Sequence, residues 1–369
     1  MRRVLSLALA LALACGAAHA EGPAPAAKPK PLRLDSHPLP LVGALRNPQA
    51  WSAWKTRFLT EGGRVIDTGN GRISHSEGQG YGLVLAVAAN DRPAFERIWG
   101  WTRANMMVRD DALVAWRWEP DKRPAVSDMN DASDGDMLIA WGLTEAAEAW
   151  GEVAHRTAAR RIAVELGRKL IVSKTRLGPY LLPAVAGFAA EDRADGPILN
   201  LSYWVFPALA RLPLVAPEYD WSGVAQSGLA LLKAAQFGAA RLPSDWISAH
   251  EALRPADGFA PEFSYNSVRI PLYLAWAGLG EREHYDAFAA WAHRKGGRFI
   301  VNVASGAESE RFVESGYGAV ALLTLCAAED APLPAAFRTP RSDEHYYPAT
   351  LHLLAVTAAQ MRYGACFKN

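Results

Sequence analysis

Cysteine is scarce in this chain: there are three in 369 residues, and one of them, Cys15, lies in the apolar stretch at the N-terminus. Only Cys326 and Cys366 remain beyond it. A disulfide framework is therefore excluded as the source of the fold, although one bridge between these two suits an oxidising compartment. Net charge is scarce as well. Lys and Arg number 39 against 38 Asp and Glu, a formal charge of +1, so bulk electrostatics recruit neither nucleic acid nor an anionic membrane. No stretch after the N-terminus approaches the roughly 20 unbroken apolar residues of a membrane span. The nine histidines are scattered, and His75 and Glu77 do not share a helix face at ligand spacing. No metal and no organic cofactor are expected.

What is present at the N-terminus has the order of a secretory signal peptide: Arg2 and Arg3, an apolar run over 4–14, then Ala18-His19-Ala20. Cleavage after Ala20 is expected. Residues 21–40 are rich in Pro, Ala and Lys and read as a flexible leader. The expected product is a periplasmic or secreted monomer whose folded part is a single domain over 41–369, large for one domain.

Helical periodicity dominates that part. Eleven helices are expected, over 48–59, 79–90, 93–106, 136–150, 156–170, 202–211, 222–236, 267–279, 283–294, 316–328 and 347–361, with no comparable series of strands. The fold class is all-α. Residues 137–150, 268–279 and 317–328 are apolar on nearly every face, whereas 156–170 carries a stripe of Arg156, Arg160, Arg161, Glu165 and Arg168. Helices of the first kind lie inside and those of the second kind cover them, which predicts two concentric layers. Short extended pieces at 64–67, 114–118 and 180–183 read as β-hairpins in loops. Acids at the starts of inner helices would then meet at one rim.

Two stretches put acids there. Ser76-Glu77-Gly78-Gln79-Gly80-Tyr81-Gly82 sets a carboxylate among glycines that leave room for a sugar ring, and Ala132-Ser133-Asp134-Gly135-Asp136 opens another apolar run. Cleaving a glycosidic bond requires an acid to protonate the leaving oxygen and a carboxylate to activate water or stabilise positive charge. Burial beside Tyr81 would raise Glu77 and keep it protonated. Both stretches also have capping-box spacing, Ser76 with Gln79 and Ser133 with Asp136. Asp136 suits the structural role, leaving Asp134 to face a cleft, and Asp131 reads as solvated. His75 reads as a hydrogen-bond partner beside the acid or as an exposed loop residue. Thirteen tryptophans supply flat faces for pyranose rings, though more than half are expected in the core.

These two motifs resemble the signatures of glycoside hydrolase family 8, and the likeness continues through Gly63-Arg64-Val65-Ile66-Asp67, Trp116 and Trp118, Tyr203, Ser264-Tyr265 with Val268-Arg269, and Tyr346-Tyr347. Within the family the chain is most similar to the endo-β-1,4-glucanases of bacterial cellulose-synthesis operons. The resemblance implies an (α/α)6 barrel and inversion at the anomeric carbon, with Glu77 as proton donor and Asp134 in the subsite where the cleaved sugar distorts. It further implies a β-glucan substrate and association with the cellulose-synthesis machinery. Tyr81, Trp116, Trp118, Tyr203, Trp204 and Tyr265 become candidate substrate contacts, and Arg269 a candidate for ordering the cleft. One departure matters. Asn266 stands where many members carry an aspartate as general base, and an amide accepts no proton. Glu262, Glu314 and Asp134 are the alternative bases. A chitosanase, another β-glucan hydrolase, and a polysaccharide-binding protein with weakened catalysis stay open.

Overall fold

A computed structural model describes residues 39–308 and 312–367. The expected signal peptide and all of the leader except Leu39 and Pro40 lie outside the described residues. Among the described residues eleven α-helices follow in order: α1 (Pro48–Phe58), α2 (Ser76–Ala88), α3 (Arg92–Asn105), α4 (Ser133–Trp150), α5 (Val153–Lys169), α6 (Phe206–Leu209), α7 (Trp221–Ala234), α8 (Arg269–Ala277), α9 (Arg282–His293), α10 (Ser315–Glu329) and α11 (Tyr346–Arg362).

Six of these form an inner ring. Helix α2 packs on α4, α4 on α6, α6 on α8, α8 on α10, α10 on α11, and α11 returns to α2. Their composition explains the placement: α8 buries all nine of its residues, and α2 buries every residue except Glu77, so neither has a face to offer water. Helices α1, α3, α5, α7 and α9 lie outside. On α5 the arginines face solvent while Ala159, Ile162, Ala163 and Leu166 point inward. This is the (α/α)6 barrel that the resemblance implies. Strands are two residues long; β1 (Ser74–His75) pairs antiparallel with β2 (Arg117–Trp118) just before α2. Among the described residues no helix is long and apolar enough to cross a membrane. Cys326 on α10 and Cys366 are joined in a disulfide, with Cα atoms 6.1 Å apart.

The glycines of the first motif serve packing rather than substrate access. A Cβ on Gly80 would come within 2.5 Å of the Leu138 Cβ on α4, and one on Gly82 within 3.0 Å of Val65. Neither glycine lines the cleft described below. Gly80→Ala is expected to cost stability: overpacking a rigid helix crossing costs about 1–3 kcal/mol, against roughly 1 kcal/mol gained in helix propensity. Urea unfolding of the two proteins at one pH checks the sign.

Candidate active site

Both acid motifs open inner helices about three residues earlier than the apolar periodicity predicts, so Glu77 and Asp134 sit in the first turns of α2 and α4. Neither start uses the expected capping box. His75 is the N-cap of α2, its Nδ1 accepting from the Gly78 N–H at 3.0 Å. Gln79 instead accepts from Val65 N at 2.7 Å and donates to Thr102 Oγ1 at 2.8 Å. Ala132 is the N-cap of α4 and makes no side-chain cap bond. Free of that duty, the two first turns come into contact: a Cβ on Gly135 would lie 2.1 Å from Ser76 Oγ. Gly135 thus lets two helix N-termini, each favourable to negative charge, present their acids side by side.

Between those acids lies Arg269, the first residue of α8 and only 2% exposed. Its Nη1 donates to Asp134 Oδ2 at 2.9 Å and stands 2.7 Å from Glu77 Oε1, an ion pair outside hydrogen-bond alignment. Nη2 donates to Ser202 Oγ at 2.8 Å and to Asn266 Oδ1 at 3.0 Å. Burial works against the charge on this guanidinium, but Glu77, Tyr347, Tyr81 and Asp134 hold its pKa well above the ordinary value. Burial pushes Asp134 up to about 6, opposed by Arg269 and assisted by Glu77. Because one guanidinium nitrogen touches both carboxylates, their nearest oxygens are closer than the roughly 6.5–9.5 Å of an inverting acid–base pair.

These groups line a cleft of about 600 Å³. Of the sequence-derived candidates, Glu77, Trp116, Asp134, Tyr203, Tyr265, Asn266, Arg269 and Glu314 are in its wall. Trp116 is fixed by its Nε1, which donates to Asp128 Oδ2 at 2.8 Å. Glu314 Oε1 accepts from His345 N at 2.6 Å. Asn266 is held at both ends, its oxygen by Arg269 and its Nδ2 3.4 Å from Asp245 Oδ2.

Four candidates stand elsewhere. Tyr81 is fully buried against Tyr273, and Trp204 is 1% exposed with its Nε1 donating to Val224 O; no face of either is open to a sugar. Trp118 packs edge-on against Trp101 under the Arg64 guanidinium. Glu262, in the short strand Glu262–Phe263, is not part of the cleft wall. Asp131, read as solvated, is 3% exposed and accepts from Val185 N at 2.9 Å. Asp136, expected to cap α4 with Ser133, instead accepts from Val114 N at 2.9 Å, while α4 has no side-chain cap bond.

The cleft also contains residues that sequence reasoning did not assign to it: Asp67, Tyr317, His345 and Tyr347. Tyr347 donates to the Tyr265 carbonyl at 2.7 Å, and the Tyr265 ring meets Phe312 and Tyr317 at 5.2 and 6.0 Å. Asp67 and Tyr347 end stretches already singled out by resemblance, the one signal that pointed to them. Among the described residues no three His, Cys, Asp or Glu side chains are grouped to hold a metal ion.

Comparison with known proteins agrees with this fold. The sequence is 35% identical over 336 residues to a "Probable endoglucanase" of Novacetimonas hansenii, covering 87% of this chain and 94% of that one. Among solved structures, endoglucanase Cel10 of Klebsiella pneumoniae superposes with a TM-score of 0.76 at 35% identity, covering 85% of this chain and 99% of that one. The endo-β-1,4-glucanase CMCax of Acetobacter xylinum gives 0.76 at 34%, covering 86% and 98%. The pattern of glycosyl hydrolases family 8 matches residues 41–361, and the chain that places Glu77 and Asp134 on one arginine belongs to that family.

Proposed function

We propose that this glycoside hydrolase is an endo-acting β-1,4-glucanase that cleaves internal bonds of cellulose-like glucan with inversion. The observation that carries the reading is the pair of carboxylates sharing Arg269 at the floor of a cleft walled by Trp116, Tyr203, Tyr265, Tyr317 and Tyr347. Flat aromatic faces bury the C–H faces of pyranose rings, and an elongated chain crosses such a cleft without its ends being bound. Glu77 protonates the leaving oxygen. Asp134, tied to Arg269 and too near Glu77 to leave room for a water between them, stabilises the positive charge of the distorted sugar. The relatives named endoglucanase support the same substrate class.

The attacking water then needs another base. Glu314 is the sequence-derived alternative that stands in the cleft wall and outside the arginine cluster, and we assign it that role. Glu314→Gln should lower kcat by about 10²–10⁴, the usual worth of a general base. Glu262→Gln should leave it near the parent value. The reverse ranking, measured by reducing-end release, would transfer the role.

Four carboxylates, Asp67, Glu77, Asp134 and Glu314, line the cleft with the guanidinium of Arg269. That balance favours a second reading in which cationic glucosamine polymers are also cleaved. Reducing-end assays on carboxymethylcellulose, mixed-linkage glucan and chitosan separate the readings, and binding without turnover on all three would leave only a polysaccharide-binding protein. The signal-peptide order of the N-terminal residues supports export, and the sequence resemblance supports work beside the cellulose-synthesis machinery.

A further inference from the structure

His75 stands next to the proposed acid and does two jobs at once. Its Nδ1 caps α2 by accepting from the Gly78 N–H at 3.0 Å, and its Nε2 lies 3.4 Å from Asp67 Oδ2. A neutral imidazole has one donor and one acceptor nitrogen. With Nδ1 committed as acceptor, the ring hydrogen belongs on Nε2, facing the carboxylate. Asp67 is itself held by the Gly69 N–H at 3.0 Å, and the Tyr346 ring meets the imidazole edge-on at 5.9 Å. The absence of a side chain at Gly78 gives the ring its place: a Cβ there would lie 3.2 Å from His75 Cε1.

We propose that His75, kept in its Nε2–H tautomer by Asp67, is a positioning residue for Glu77, and that protonating it releases the first turn of α2 and contributes one proton to the acid limb of the rate. The added proton goes to Nδ1, where it opposes the Gly78 N–H and replaces an acceptor with a second donor. The proposal rests on the glycosidase reading of this cleft.

The surroundings set where this happens. Burial disfavours the cation, but the carboxylates of Asp67 in the preceding loop, Glu77 on α2 and Asp134 on α4 outweigh it and hold His75 above its ordinary value. Arg269 on α8 offsets part of that field through its pairing with Glu77 and Asp134. Tyr346, edge-on to the ring, His345, in the same cleft wall, and Arg117, opposite His75 across the β1–β2 pair, are further titratable groups around it. A raised value means that His75 contributes stability at low pH that is lost as pH rises through its folded-state value. The barrel therefore stays folded in acid, and what the proton at Nδ1 costs is the local cap at Gly78 and, with it, the rate.

The test is His75→Asn, whose side-chain oxygen can cap the helix without titrating. The parent should lose rate on acidification as His75 gains its proton, in addition to the carboxylates Asp134 and Glu314. The variant should lose rate with one proton fewer, so it avoids a further drop of roughly tenfold per pH unit below the His75 titration. Asp67→Asn, which keeps a polar partner for Nε2 but removes the charge, should move the same limb to lower pH. Imidazole ¹⁵N spectra of the parent should show the Nε2–H tautomer on the alkaline side. Acid limbs that coincide in all three proteins, or an Nδ1–H tautomer, would overturn the inference. Absence of hydrolysis by the parent would instead overturn the proposed function, and the tautomer would remain readable.

Discussion

Glu77→Gln is expected to lower kcat by about 10²–10⁴ with the fold intact, the range for loss of a general acid. Helix α2 buries every residue except this one, whose side chain is 18% exposed and opens to the cleft. Glutamine keeps that shape. Its carbonyl can still face Arg269, and Arg269 keeps Asp134 at 2.9 Å, so no buried charge is stranded and the large destabilisation that follows such stranding is avoided. What disappears is the proton delivered to the leaving oxygen. Reducing-end release on a soluble glucan, with thermal unfolding as the control for folding, measures both halves. Comparable turnover in the variant would place the acid elsewhere.

Asp134→Asn should separate stability from activity. Burial raises this carboxyl to about 6 in the folded protein, against roughly 3.9 unfolded. A folded-state value above the unfolded one means that ionisation costs stability: the contribution is present below about pH 4 and is lost as pH rises through about 6. Asparagine does not ionise, so the stability of the variant relative to the parent should increase between pH 4 and 7 by on the order of 3 kcal/mol. Above about pH 6, where the parent carboxylate is charged, its hydrolysis should be roughly a hundredfold below the parent, since the charge that stabilises the distorted sugar is absent, and the gap should narrow as pH falls and the parent loses that charge too. Denaturant unfolding at several pH values, paired with rates, tests this. A variant that loses stability steadily with rising pH would show that Arg269 depends on Asp134 more than Asp134 costs.

Much of the fold was legible because an inner helix of a double-layered barrel has an unmistakable pattern. Ten of the eleven expected helices appear close to their predicted ranges. The exception, 202–211, breaks into a turn at Leu201–Tyr203 and the short α6, since Trp204 and Val205 take non-helical angles and Pro207 suits only a first helical turn. The starts of α2 and α4 fall about three residues before the predicted ones because their first turns are polar, and apolar periodicity does not register a polar turn even where that turn is buried. The same blindness to tertiary context misjudged Asp131, whose burial depends on the distant Val185 N–H. It also made substrate contacts of Tyr81 and Trp204. An aromatic ring in sequence near a catalytic motif faces the core as readily as the cleft, and only the helix phase decides. Asn266 was legible as a departure, but its clamp between Arg269 and Asp245 was not, because Asp245 belongs to a loop no motif marked.

The central claim is that Glu77 and Asp134 act as acid and charge stabiliser on one arginine, while a separate base directs water to the far face of the sugar. Proton NMR of the first anomer released from a short β-1,4-glucan chain, recorded before mutarotation, tests it most directly. The α-anomer should appear first. Initial release of the β-anomer would make Asp134 a nucleophile attacking from its place beside Glu77, and would contradict the account.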